Sequence, residues 1–471
     1  MVVKYHPNAP VEEGTTSPKI FIGRLIHSKS LSNLEIIPKA AIGVQTNGTI
    51  AFLDPKPSTT EQLQTRYAAD GFANAQIVNL KKSQFLFPGL IDTHLHAPQW
   101  PNLALGMEGT LREWCENWTD PMEASYSDTA KARRVYADVT KTTLSLGSTT
   151  VAYNSSIHAD ATNILADCAL AAGQRAIVGK MCITVGSTQG NWEESAEVSL
   201  ADSEKSVKYI RSIDPEGRLV HPCVQPRGGP YCPPELMRGL GEQCKEYGAY
   251  VQAHMCETQS DIAVADRTLE LHPKYSCYSD MYLSSGLLNS RSILAHCIHL
   301  QPKDIDNMAA SRAGVAHNPN SNTCLRDGEC RVRDLLDRGV RVGLGTDCSA
   351  GYMPSIHDAM RSASNVSRHL ALKAGEDRYV LGFSEIVCLA TMGGAQVVGM
   401  EDRIGNFEKG KKFDALLIDV EGVISADASL WDDGDGDGEA MVKKWVFLGD
   451  RTSIKKVYVD GTLVAGQDAS L

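Results

Sequence analysis

Two histidines one residue apart, His94 and His96, close the apolar run "PGLIDTHLH" at residues 88–96. At the two-residue period of a strand both side chains share one face. Unpaired imidazoles in a buried strand are costly, so hydrogen bonds or a cation must satisfy them. Three further apolar runs end in a polar residue. "AYVQAHMCE" reaches His254, with Glu257 three residues on; "SILAHCIHL" reaches His296; "RVGLGTD" ends in Asp347. A lone buried histidine is usually a hydrogen-bonded core residue. Four imidazoles and a carboxylate at the ends of different strands are instead a ligand set for zinc, with iron or nickel also suited. A bound divalent ion lowers the pKa of its water to about 7. Asp347 then takes that water's second proton, and Glu257 carries a proton to the substrate or the leaving group. The chemistry expected is metal-assisted hydrolysis, with Glu257 and Asp347 catalytic. His299 and His317 stay outside the ligand set, one as an orienting residue and the other as packing beneath the site.

These residues need a frame that brings strand ends together. The middle of the chain supplies eight strand candidates: "QFLFPGLIDTHLH", "GSTTVAYNS", "RAIVGKMCITV", "LVHPCVQPR", "AYVQAHMCE", "SILAHCIHL", "GVAHNPNSN" and "RVGLGTD". Helical patterns such as "PPELMRGLGEQCKEYG" and "QPKDIDNMAASRAG" lie between most of them. That is the count for an α/β fold of the (β/α)8 TIM type, whose active sites sit at the C-terminal strand ends. Residues 18–87 read as short β segments with an Asn47-Gly48 hairpin signal, and "FDALLIDVEG" and "IKKVYVDGTLVAG" repeat that texture near the other end. A small β-sandwich built from both chain ends is expected. It comprises residues 1–87 and 401–471, and the barrel occupies residues 88–400. No short internal repeat of solenoid period is present.

The chain has 471 residues, 42% apolar and 22% charged, with a net charge of −11. No long basic block stands out, which argues against a nucleic-acid partner. No run of about 18 consecutive apolar residues appears, so no transmembrane helix is expected. The first residues lack the apolar core of a signal peptide. The 13 cysteines show no CxxC pair and read as reduced thiols of a cytoplasmic protein. In that compartment the sequons at Asn47, Asn154 and Asn365 carry no meaning. The final "ASL" lacks the basic residue of a peroxisomal signal. In "WDDGDGDGEA", Asp433, Asp435, Asp437 and Gly438 imitate the start of a calcium loop, but the twelfth position is Lys444 rather than Glu, so a solvated loop is expected.

The chain resembles the amidohydrolase superfamily of metal-dependent hydrolases: HxH on the first barrel strand, His on the fifth and sixth, Asp on the eighth. No Lys stands at the end of the fourth, "QPR", where binuclear members bridge two metals, so one metal per chain is implied. Within the superfamily it is similar to the guanine deaminase family in "PGLIDTHLHAPQWPN", "EWCENWTDPMEA", "AHNPNSN", "GLGTDCSAGYMPSIHDAMRSA" and "KWVFLGDRTSIKKVYVDG". The resemblance implies zinc on His94, His96, His254, His296 and Asp347, Gln99 and Arg227 on the purine edge, and a homodimer. It implies hydrolysis of guanine to xanthine and ammonia. Arg227 has only donors, so it suits the C6 carbonyl of guanine and not the amine of adenine. Four segments depart from the family pattern. Gly228-Gly229 follow Arg227 in place of an aromatic; "KMCITVGST" ends the third strand; Cys297 follows His296; Arg326 and Asp327 follow "PNSN". Deamination of a pterin or a modified guanine by the same machinery is the alternative. A non-catalytic scaffold of the same fold is a remote one, since such proteins lose the ligand histidines that this chain keeps.

Overall fold

The computed structural model describes residues 17–185, 190–271, 274–421, 423, 438–466 and 469. In chain order the strands are β1 (Lys19–Ser30), β2 (Asn33–Val44), β3 (Ile50–Asp54), β4 (Gln76–Asn79), β5 (Gln84–Pro88), β6 (Leu90–His96), β7 (Ser148–Asn154), β8 (Arg175–Cys182), β9 (Val220–Pro226), β10 (Tyr250–Met255), β11 (Ser292–His296), β12 (Gly314–His317), β13 (Arg341–Leu344), β14 (Ala415–Asp419), β15 (Ile454–Val459) and β16 (Thr462–Gly466).

Strands β6 to β13 pair side by side in sequence order, all parallel. The seam between β13 and β6 closes through Thr93 Oγ1, which donates to the Leu344 carbonyl at 2.9 Å. Just past the strand, Asp347 N donates to His94 O at 2.8 Å and His96 N to Cys348 O at 3.0 Å. Strands covered on both faces need near-continuous apolar runs, and every residue of β6, β7, β8, β11 and β12 is buried. This is the (β/α)8 barrel expected from the sequence, with all eight strand candidates in it. The helices between them carry their own boundaries. Pro234 opens the helix Pro234–Tyr247, left-handed Gly248 ends it, and Leu236, Met237, Leu240 and Cys244 turn inward.

The run "QFLFPGLIDTHLH", read as one strand, divides at Gly89. Residues up to Pro88 pair with β14 and β1, and the barrel strand starts at Leu90. Here the backbone changes partners: Gly89 N donates to Asp414 O and Leu90 N to Gly147 O. A continuous apolar run carries no mark of that exchange.

The second sheet runs β16-β15-β14-β5-β1-β2-β3, with β4 beside β1, so both chain ends build it. Along the sheet, β1 and β15 are three strand spacings apart, about 14 Å. Yet the rings of Phe21 and Tyr458 lie 5.4 Å centroid to centroid. The sheet therefore closes over itself as a sandwich around Phe21, Ile42, Phe413 and Leu417. All 13 cysteines are free thiols. Asp377–Val397 is, among the described residues, the one helical run long and apolar enough to cross a bilayer by length and composition, and most of its apolar stretch is buried inside the protein. Asp433, Asp435 and Asp437 lie outside the described residues; Gly438 precedes the helix Glu439–Leu448, which holds Lys444.

Candidate metal centre and substrate pocket

Barrel closure delivers the ends of β6, β10, β11 and β13 to one point. His94 Nε2 lies 3.2 Å from His96 Nε2, which lies 3.1 Å from His254 Nε2. Asp347 Oδ1 is 3.2 Å from His94 Nε2 and 3.5 Å from His96 Nε2, and its Oδ2 is 3.6 Å from His296 Nε2. All five residues are buried or nearly so. Their second nitrogens are largely committed. His94 Nδ1 bonds to Gln252 Oε1 at 2.9 Å, His254 Nδ1 to the Arg227 carbonyl at 2.7 Å, and His296 Nδ1 to Asn322 Oδ1 at 2.9 Å. A ring that donates from Nδ1 keeps a lone pair on Nε2. Lone pairs that converge beside a carboxylate call for a cation, and His296 Nε2 is buried with no hydrogen-bond partner. The donor set fits one divalent ion, oriented by Gln252, Asn322 and the Arg227 carbonyl as such ligands usually are.

The backbone is bent to aim these groups. His296 and Asp347 adopt φ of 71° and 47°. Left-handed conformations of this kind cost about 1–3 kcal/mol each and cluster at functional sites. The two carboxyls are tuned in opposite directions. Burial works against the charge on Asp347, but the His94, His296 and His96 rings outweigh it and hold the group well below the usual carboxylate range. Glu257 is pushed well above that range by burial and then by the negative charges of Asp347 and Asp261. The surroundings thus favour the charged form of Asp347 and the neutral form of Glu257.

Beside the cluster opens a cavity of about 320 Å³ lined by Gln99, Arg227, Tyr231 and Glu257 among others. Its polar wall is organised by Glu123, which is fully buried. Glu123 accepts from Gln99 Nε2 at 2.8 Å, Arg227 Nη1 at 3.1 Å and Asn191 Nδ2 at 2.7 Å. Burial again opposes ionisation, yet Arg227, His96 and Gln99 hold the Glu123 carboxyl down at about 2.

A sequence profile of the amidohydrolase family matches residues 85–464. The chain is 39% identical to a probable guanine deaminase of Schizosaccharomyces pombe over 95% of its own length and 83% of the relative's. It is 35% identical to the guanine deaminase of Mus musculus over 96% of this chain and 98% of that one. The chain belongs to the guanine deaminase branch of the amidohydrolase family. A solved guanine deaminase from C. acetobutylicum with guanine bound in its active site superposes with a TM-score of 0.84 at 30% identity, covering 95% of this chain and 100% of that one.

In this amidohydrolase the structure brings His94, His96, His254, His296, Asp347 and Glu257 together and sets Gln99 and Arg227 on one wall of the cavity. His299 stands apart, bridging Gln259 and the Asp327 carbonyl. His317 is buried, and burial with the nearby His296 pushes its pKa down to about 3. Of the departing residues, Arg326 turns away to the carbonyls of Glu108 and Gly109. The Cys297 thiol faces the Leu294 carbonyl. Asp327 is pushed up to about 8 by burial and by Glu257. Sequence reasoning missed Glu123, Gln252, Asn322 and Asp92. Asp92 ties the first barrel strand to the eighth by accepting from Thr346 N and Oγ1 at 3.0 and 2.6 Å. Gln252 had a usable signal: it sits two residues before His254, on the same face of the strand.

Proposed function

We propose that the protein hydrolyses guanine to xanthine and ammonia, using one zinc ion held by His94, His96, His254, His296 and Asp347. The observation that carries this reading is the donor wall formed by Gln99 and Arg227, both bound to Glu123, beside the imidazole cluster. When bound, a divalent cation supplies an acidified water at neutral pH. The remaining work belongs to the chain. Arg227 offers donors to the C6 carbonyl, which places the C2 amino carbon toward Glu257 and Asp347. The water oxygen bonds to C2, and the C2–N bond breaks. Glu257 delivers a proton to the ring nitrogen N3 and regains one from the water; Asp347 takes the water's second proton and passes it to the C2 nitrogen, which leaves as ammonia with the bonding pair. A site built around a hydrogen bond to one substrate group rejects an analogue lacking it by about 10⁴–10⁵, so discrimination against adenine is expected.

The resemblance supports a homodimer, and the unpaired cysteines suit a reducing, cytoplasmic setting; sedimentation at working concentration reads the oligomeric state. The deciding experiment is ammonia release by zinc-loaded protein from guanine, with adenine, a pterin and 8-oxoguanine alongside. Fast turnover of guanine and none of adenine is expected. Silence on guanine with turnover of the pterin or 8-oxoguanine would transfer the reading to that heterocycle. Silence on all four, with metal bound, would overturn it.

A further inference from the structure

Arg227 is followed by two glycines, and the backbone does not require the first. Gly228 has φ −172°, extended backbone that any residue adopts. Space decides instead. A Cβ on Gly228 would lie 3.0 Å from Cδ2 of Tyr231 and 3.3 Å from its Cε2, and one on Gly229 would lie 2.9 Å from the Met281 methyl. A side chain at 228 would thus crowd the Tyr231 ring, which would have to give by a few tenths of an ångström.

The ring is firmly placed. Tyr231 N donates to Gly228 O at 3.1 Å, and its carbonyl accepts from Thr184 and Val185 at 3.2 and 3.3 Å. Pro230 stiffens the turn before it. The ring packs on the cluster Ile157, Met181 and Ile183. It lines the same cavity as Arg227, His254 and Glu257. Gly228 itself is bridged to His254, so this turn is built on the backbone of a metal-ligand candidate.

We infer that Tyr231 is the aromatic surface on which the planar heterocycle rests, and that Gly228 is a glycine so that this ring can reach the pocket. Tyr231 is a binding and positioning residue. Arg227 and Gln99 read the edge of the base, and Tyr231 supports its face. Stacking on an aromatic side chain is sequence-tolerant because every base has a π face. Edge contacts therefore set which base is taken, and Tyr231 sets how tightly it is held.

This inference rests on the guanine reading, so the wild-type protein is first assayed on the four-compound panel. Whichever heterocycle it turns over is then used for the variants, which separates failure of the substrate from failure of the ring. Tyr231→Ala should raise KM by about tenfold or more, the scale of one base–aromatic stack, with kcat within about threefold and metal content unchanged. Equilibrium binding of xanthine should weaken in parallel. Tyr231→Phe should stay near wild type. Adding Gly228→Phe to Tyr231→Ala should recover at least part of the lost affinity, since a ring then re-enters the same volume. Tyr231→Leu is the fallback where the alanine protein does not fold; it keeps apolar bulk without a π face and should also raise KM. An unchanged KM in Tyr231→Ala or Tyr231→Leu, or an equal loss in Tyr231→Phe, would overturn the inference.

Discussion

The barrel buries charged side chains at both ends, and the two ends handle them differently. At the N-terminal end, Arg175 is fully buried at the start of β8. Its Nε and Nη2 donate to Asp414 at 3.1 and 3.2 Å, and its Nη1 donates to the Arg218 carbonyl. Asp414 also accepts from Asp460 N at 2.7 Å. Every guanidinium nitrogen is used, and the pair joins the barrel to the sheet formed by the chain ends. At the C-terminal end, imidazole and carboxylate groups converge with lone pairs facing one another, and His296 Nε2 and His96 Nδ1 lack hydrogen-bond partners. The first cluster is a rivet; the second is half of an interaction whose other half comes from solution. Unpaired nitrogens among converging imidazoles are what a bound ion would satisfy, whereas the Arg175 guanidinium needs nothing from outside the chain.

Four experiments can break or sharpen that contrast. The largest effect is expected from a strong chelator. Turnover should fall below about 1% and return with zinc, and the melting temperature should drop, because a ligand that binds only the native state at about 1,000 times its Kd stabilises by roughly 4 kcal/mol. A chelated protein that keeps full activity would reduce the upper cluster to packing. Next comes Arg175→Met. It strands Asp414 in the interior and should cost about 3–5 kcal/mol of stability, read by urea unfolding, while KM and kcat of the folded protein stay unchanged. A change in kcat alone would mean that the lower cluster is not a separate rivet. Glu257→Gln should cut kcat by at least about 10² with metal content intact, the low end for acid–base catalysis. A wild-type rate would remove Glu257 from proton transfer. Smallest is Glu123→Gln. Losing a charge-assisted bond of about 1.5–3 kcal/mol should raise KM about tenfold or more and leave zinc in place. Loss of zinc instead would make Glu123 a support of His96, which it faces at 3.6 Å.

Much of this was visible in the residues alone, for one reason. A polar residue at the end of an apolar strand is expensive, so His94, His96, His254, His296 and Asp347 each broke a pattern that a buried strand should keep. The barrel followed from the count of such strands. Glu123 gave no such signal. It lies in the short helix Asp120–Ala124, where a glutamate is unremarkable, and it is buried only because Arg227, Gln99 and Asn191 arrive from three other parts of the chain. Asp92 sits among apolar residues in the first barrel strand, but its partner Thr346 is reached only when the barrel closes. Tyr231 was hidden by its glycines. The sequence shows no ring at 228, and only the turn Gly229–Tyr231 brings a ring from three residues later against that position. Long-range closure and local turn geometry are the two things that residue types do not carry.

The seam where His94 O and His96 N bond to Asp347 N and Cys348 O has a consequence for how the protein comes into being. The first two candidate ligands and the last one sit at opposite ends of the barrel sequence and meet only across that seam. A growing chain can hold His94 and His96 long before Asp347 has been synthesised. It then has two imidazoles and no complete site. Catalytic competence arrives as a step, with the eighth strand, and a chain cut short before it should be inert however well its earlier strands have paired.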